Sequence, residues 1–250
     1  MFRLARARKL GDEGIASRGV ARRTDPMIER RALFASVGAV AAHRAWAMGS
    51  DVPGLASLPI PESRAIAFRL MRHGDAIGTH TLDFHVTGDM LDVDIAVDVL
   101  FTFGPIPLVR YNHHAVERWQ GGRLASLTGH TNRNGTDMYM SAHRVAAGLW
   151  VEGSGTTPYV APEDALPTTY WNARMLRGPM IGTQDGGLVH PKVTPKGVQP
   201  VKLVSGAERP ATCYSLTGDL DLDLWYDAQN SWMSMRFSVA DGSTISYERL

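Results

Sequence analysis

Cysteine is nearly absent from this sequence: Cys213 stands alone in 250 residues. A lone thiol excludes an internal disulfide and a paired-cysteine metal site. It lies in an alternating run, ATCYSL, where a buried, inert thiol is expected. The familiar catalytic signatures are missing as well. There is no GxSxG elbow, no GxxxxGK phosphate loop, no GxGxxG and no HExxH. No stretch reaches the ~20 apolar residues that a membrane-spanning helix needs. Positive charge is scarce where nucleic acid would require it. Residues 1–47 hold ten Lys/Arg against four Asp/Glu, and residues 48–250 hold 16 against 21, so the net +1 conceals a basic leader and a mildly acidic body. Such a body lacks the clustered cations that displace counterions from phosphates, and no nucleic-acid partner is expected.

The basic leader reads as an address. Glu29-Arg30-Arg31-Ala32-Leu33-Phe34 opens an apolar run from Ala32 to Ala42, and Ala45-Trp46-Ala47 follows with the small-x-small pattern of signal peptidase sites. The paired arginines make this resemble a twin-arginine signal, with cleavage after Ala47 and a periplasmic mature chain. Met27 would start a signal of conventional length, so residues 1–26 read as an extension ahead of the true start. The expected organisation is leader plus signal over 1–47, a proline-bearing linker over 48–63, and a single β domain over 64–250.

What the body does contain is alternation. In Leu91–Phe103, LDVDIAVDVLFTF, every second residue is apolar and Asp92, Asp94, Asp98 and Thr102 fill most of the gaps. Side chains of a strand point alternately to opposite faces, so this is a strand with one dry and one wet face. Similar strands are predicted at about 64–72, 77–87, 108–119, 124–133 and 136–144. His73-Gly74, Gly88-Asp89, a four-residue loop Gly104-Pro105-Ile106-Pro107, Gly121-Gly122 and Asn134-Gly135 supply the turns. After a Pro/Gly-rich passage, strands are expected again near 202–204, 211–216, 219–227, 232–239 and 244–250. Pro167–Leu176 reads as the one helix, with a Thr cap and a stop before Gly178-Pro179. The fold class is therefore mainly β: a long curled antiparallel meander forming a half-open barrel, with one short helix covering the concave face.

Turn lengths fix a register. They pair Leu82 with Ile95, Ile95 with Val116, Val116 with Leu127 and Leu127 with Ala142, an apolar row across five strands. Strand one joins in phase only through a bulge near Gly74. The last hairpin matches Val239 to Ile245 through a bulged turn at Asp241-Gly242. The same scheme places His80, Asn112, His114 and Arg118 on the dry face and Arg144 at its rim. Buried polar groups need a partner, a water or a ligand. With Trp171 on the covering helix, these form the candidate ligand-binding set, although hydrogen bonds among themselves would account for them equally. His113 and His130 fall opposite one another on the wet face, and Asp219, Asp221 and Asp223 project together. Both read as exposed polar rows, so neither a metal nor a cofactor is expected.

Several segments resemble an exported proteobacterial family classed only as domain of unknown function 6134. They are Gly74–His80, Glu117-Arg118-Trp119 with Gly122-Arg123-Leu124, Thr131–Gly135, Gly218-Asp219-Leu220, Leu224-Trp225-Tyr226-Asp227, and Asp241-Gly242-Ser243 with Ile245 and Tyr247. The resemblance covers nearly all of 64–250 and brings no activity or catalytic residue with it. More distantly, the strand pattern is similar to the half-barrels of bacterial lipoprotein carriers, which implies an acyl-binding concave face. Three function classes follow. The first is a binder of an apolar or amphiphilic molecule such as a lipid, or of a cell-envelope protein. The second is a small hydrolase or lyase with His80 or His114 as buried general base. The third is a scaffold offering an edge strand. No catalytic residue is assigned.

Overall fold

The computed structural model describes residues 54–103 and 106–250, so the leader, the signal and the Met27 start lie outside the described residues. The meander begins with β1 (Ala65–Arg72), β2 (Asp75–Thr87), β3 (Met90–Phe103) and β4 (Ile106–Gln120). It continues through β5 (Arg123–Arg133), β6 (Thr136–Val145), β7 (Gly148–Gly153) and β8 (Thr156–Ala161). A covering segment then carries three two-residue strands, β9 (Leu166–Pro167), β10 (Met180–Ile181) and β11 (Leu188–Val189). The chain closes with β12 (Lys192–Lys202), β13 (Glu208–Thr217), β14 (Leu222–Tyr226), β15 (Trp232–Ser238) and β16 (Thr244–Arg249).

Thirteen strands form one antiparallel sheet in the order β12-β13-β14-β15-β16-β1-β2-β3-β4-β5-β6-β7-β8, so neighbours in sequence are neighbours in space. The exception is β1 against β16, which brings the two ends of the domain together in mid-sheet. The sheet does not close: β12 and β8 are its edges. One face carries the core. Phe68, Leu82, Leu91, Val93, Leu127 and Val151 are all fully buried on it. Leu58, ahead of β1, also packs into that core.

The β2–β3 register is the expected one, with Phe84 opposite Val93, Leu82 opposite Ile95 and His80 opposite Val97. So is β5–β6, with Leu127 opposite Ala142. The required bulge in the β1–β2 hairpin is present and falls at Ile77. Between β3 and β4 the expectation fails. The hairpin is tighter than a four-residue loop, since Phe103 pairs with Ile106, and Leu108 is then bulged out. Ile95 therefore faces Ala115, not Val116, and Val97 faces His113, not His114. A shift of one residue turns every side chain of a strand to the other face. Tyr111, His113, Ala115, Glu117 and Trp119 are buried, while Asn112, His114 and Arg118 are exposed. A second bulge at Ala125 restores the phase for β5 and all that follows. At the last hairpin Phe237, not Val239, faces Ile245, because the turn spans only 240–242 and Val239 N donates to Ser243 O.

The expected helix over 167–176 is not formed. Its residues run as β9, an irregular crossing, and a 3-10 turn of five residues, Ala173–Arg177, capped by Asn172 Oδ1 accepting from Arg174 N. Tyr170 sits at φ 67°, which no helix allows. Local propensity is weak here, with Pro167 and two β-branched threonines, and hydrogen bonds to the sheet outweigh it. Tyr226 Oη donates to Tyr170 O, while Thr169 and Trp171 both donate to Glu117. The crossing is the first part of a strap, residues 162–190, that covers the buried face of the sheet with Tyr170, Trp171, Met175, Met180 and Ile181, all fully buried. Glycines seat it. A Cβ at Gly129 would lie 2.2 Å from Thr183 O, and one at Gly153 would lie 2.3 Å from Asp185 O.

The strap thus lies against backbone where side chains are missing, and Gly129→Ala should lift it. Chemical denaturation should show a loss of at least about 2 kcal/mol, of the order that overpacking costs. A loss below about 0.5 kcal/mol would mean that the strap does not rest on Gly129.

Candidate functional site

The two bulges that shift β4 build the polar row on the buried face of the sheet. Glu117 is fully buried. Its Oε2 accepts from Trp119 Nε1 at 2.7 Å and from Trp171 Nε1 at 2.9 Å, and its Oε1 accepts from Thr169 Oγ1 at 2.5 Å. Trp119 is its neighbour two residues along the same strand, whereas Trp171 and Thr169 come from the strap. The carboxyl therefore ties the strap to the sheet. No cation accompanies it among the described residues, and burial pushes its pKa above the usual carboxylate range despite the three donors. With a proton on Oε1 donating to Thr169, Oε2 still accepts both indoles.

Two rows along β4, beyond Ala115, His113 is buried between Thr131 Oγ1 at 2.8 Å and Thr183 Oγ1 at 3.2 Å. One ring nitrogen donates and the other accepts, whichever tautomer is present. Two strands across, His80 is buried among Phe68, Trp232 and Tyr247, with ring centroids 6.4, 5.2 and 5.7 Å away. Neither His80 nitrogen has a hydrogen-bond partner among the described residues. Burial lowers both imidazoles to about 3. Both are neutral at physiological pH.

His80 and His113 line a cavity of about 20 Å³ together with Val97, Tyr111, Phe237 and Tyr247, room for one water-sized group. Thr168, Thr183 and Phe237 are shared with a second pocket of about 120 Å³, which lies between the strap at 182–189 and the turn at 218–222. Val189, Leu222 and Phe237 supply its apolar wall, and Asp185, Asp219 and Asp221 its acidic border.

Of the residues expected to bind a ligand, His80 and Trp171 are buried in the core, but Trp171 is spent on Glu117. Asn112, His114 and Arg118 are corrected to the outer face. There they extend a ladder against β3: Arg118 to Asp92 at 2.9 and 3.2 Å, His114 Nε2 to Asp94 at 2.9 Å, and Asn112 to Asp98. Arg144 is half-buried at the rim, with Nε donating to Leu124 O. His113 and His130 are not opposite one another; His113 pairs with Thr131 and points inward, while His130 faces out towards Asp137. Among the described residues no group of three or more His, Cys, Asp or Glu is placed to hold a metal. Asp223 instead pairs with Arg236, and Asp219 accepts from His190 N.

The residues that sequence reasoning missed are Glu117, His113, Thr169 and Thr183. A signal for the first two was present. Tyr111 and Trp119, the two large aromatics of the strand, share their parity with His113 and Glu117, so the odd positions of β4 had the better claim to the dry face.

A family model described as a domain of unknown function, DUF6134, matches residues 68–250. No curated protein matches the chain. Among solved structures, a β-barrel-like protein of domain of unknown function DUF1849 from Brucella abortus is similar, with a TM-score of 0.53 at 8% identity over 74% of this chain and 94% of that one. At that identity the likeness concerns the fold alone. Among the described residues no helix is long and apolar enough to cross a membrane.

Two outcomes test this polar row. Glu117→Gln mimics the protonated acid and should keep the fold. Because the native carboxyl holds its proton above the range where the unfolded one ionises, wild type loses stability relative to this variant as pH rises past about 4.5, by up to roughly 1.4 kcal/mol per pH unit. Glu117→Leu strands three donors and should cost several kcal/mol, at about 1–3 for each. Urea midpoints at pH 4.5 and 7 check both. The histidines act in the opposite sense: their native pKa values are depressed, so stability present above about 6.5 is lost as pH falls towards 3. His80→Leu should flatten that decline and be at least as stable as wild type at pH 7, since it removes an uncompensated buried polar group.

Proposed function

The chain belongs to the DUF6134 family, and from that premise and the pocket we propose that it is a periplasmic binding protein for a small amphiphilic molecule. The observation that carries the reading is His80. Its two ring nitrogens lack partners at the edge of a cavity that shares three residues with a wider pocket. A ligand whose polar atom meets His80, and whose apolar part rests on Val189, Leu222 and Phe237, would satisfy an imidazole that the protein leaves unbonded. Pockets of about 20 and 120 Å³ are small beside the ~300–1,000 Å³ of drug-sized sites. The ligand is therefore short, not a long acyl chain, since the strap occupies the space that an open half-barrel would give such a chain.

Catalysis is the weaker reading. An imidazole held near 3 is a poor general base at neutral pH, and His114, the alternative base, is exposed and bound to Asp94. The scaffold reading suffers at both edges, where Pro158 in β8 and Pro195, Pro200 and three lysines in β12 discourage strand addition by an envelope partner. Export through a twin-arginine signal, with Met48 as the mature N-terminus, belongs to the same proposal.

Native mass spectrometry of protein taken from periplasmic extract tests both parts. The expected species starts at Met48 and carries a small noncovalent adduct, which His80→Leu loses or holds at least 10-fold more weakly. A bare chain would contradict the ligand, and a chain retaining residues 28–47 would contradict the export route.

A further inference from the structure

A second site stands at the end of the sheet, away from His80. The β4–β5 turn, the β6–β7 turn and Glu163 border a groove of about 640 Å³ whose lining includes Arg123, Leu124, Ala125, Arg144 and Val145. Two arginines and one glutamate line it, and the glutamate is paired with Arg123. Arg144 is half-buried, and its Nε is fixed by Leu124 O at 2.8 Å. That bond orients the planar fork and leaves the two Nη groups without a protein partner among the described residues. Arg123 Nη2 donates to Glu163 Oε1, and the two side chains are 41% and 72% exposed. Exposed pairs of this kind are weak and exchange readily. Burial and the nearby Arg123 both work against the charge on Arg144, and Glu163 offsets them only in part. The groove thus holds an excess of positive charge that a further anion would neutralise.

We propose that this groove is an anion site in which Arg144 and Arg123 take a phosphate group, with Glu163 as the internal occupant that the ligand displaces. Guanidinium forks match phosphate oxygens in pairs, and two of them balance a phosphate dianion once Glu163 swings away. Leu124, Ala125 and Val145 give the groove an apolar wall, so the phosphate can be free or the headgroup of a lipid. The site is independent of the His80 pocket, and His80→Leu should leave it intact.

Titration of the folded domain with inorganic phosphate, followed by calorimetry and by the arginine side-chain resonances, provides the test. Vesicles of phosphatidylglycerol and of phosphatidylcholine form the second arm. Binding should weaken at least 5-fold in Arg144→Lys, which keeps the charge but loses the fork, and in Arg123→Gln. It should tighten several-fold in Glu163→Gln, a gain that no folding defect can imitate. Phosphate binding with this dependence, without retention on either vesicle, assigns a soluble phosphate. The same dependence on phosphatidylglycerol but not phosphatidylcholine assigns a lipid headgroup. No binding to either source, or binding that Glu163→Gln and Arg144→Lys leave unchanged, would overturn the proposal.

Discussion

The carboxyl of Glu117 holds this structure's two layers together. A single side chain accepts from an indole of its own strand, an indole of the strap and a hydroxyl of the strap. A buried carboxyl without a cation is costly unless its oxygens are filled, and this one is filled only while the strap lies down. The contact therefore couples the two layers: opening the strap strands the carboxyl, and removing the carboxyl strands two indoles and a hydroxyl. Around it the packing is aromatic, with Trp119 and Trp171 edge-to-face at 5.5 Å and Phe84 against Trp171 at 5.2 Å, geometries that add to the burial of three large side chains.

That contact exists because of two compensating irregularities. The bulges at Leu108 and Ala125 invert one strand of thirteen and leave its neighbours in phase. Without them Glu117 and His113 would face water and the arginine and histidine beside them would face the core. As it stands, the outer face of the β3–β4 pair receives an ordered set of polar pairs, the ion pair of Asp92 with Arg118 and the contact of His114 Nε2 with Asp94. Bulges commonly re-aim side chains in this way next to functional positions.

Much of the sheet was legible in the sequence because alternation and glycine turns are local signals. The strands from β1 to β6, the β2–β3 and β5–β6 registers and the bulge after Gly74 follow from them. β4 was misread because in YNHHAVERW both parities mix polar and apolar residues, and the assumed turn length outweighed the shared parity of Tyr111 and Trp119. The helix over 167–176 failed for another reason. Its backbone is set by hydrogen bonds to Glu117 and Tyr226, residues more than fifty positions away, and Tyr170 takes a left-handed conformation that composition does not announce. Of the site, His80 was legible because its strand pairs through a tight turn. Its neighbours His113 and Thr183 depend on the inverted strand and on the strap.

The account rests on the strap being a fixed layer of the fold and not a lid. Hydrogen exchange of the indole N–H groups of Trp119 and Trp171, resolved by nuclear magnetic resonance, measures this directly. If Glu117 binds both, the two protons exchange together and slowly, at the rate of global unfolding. Fast exchange at Trp171 beside a protected Trp119 would show the strap opening on its own and would contradict the account.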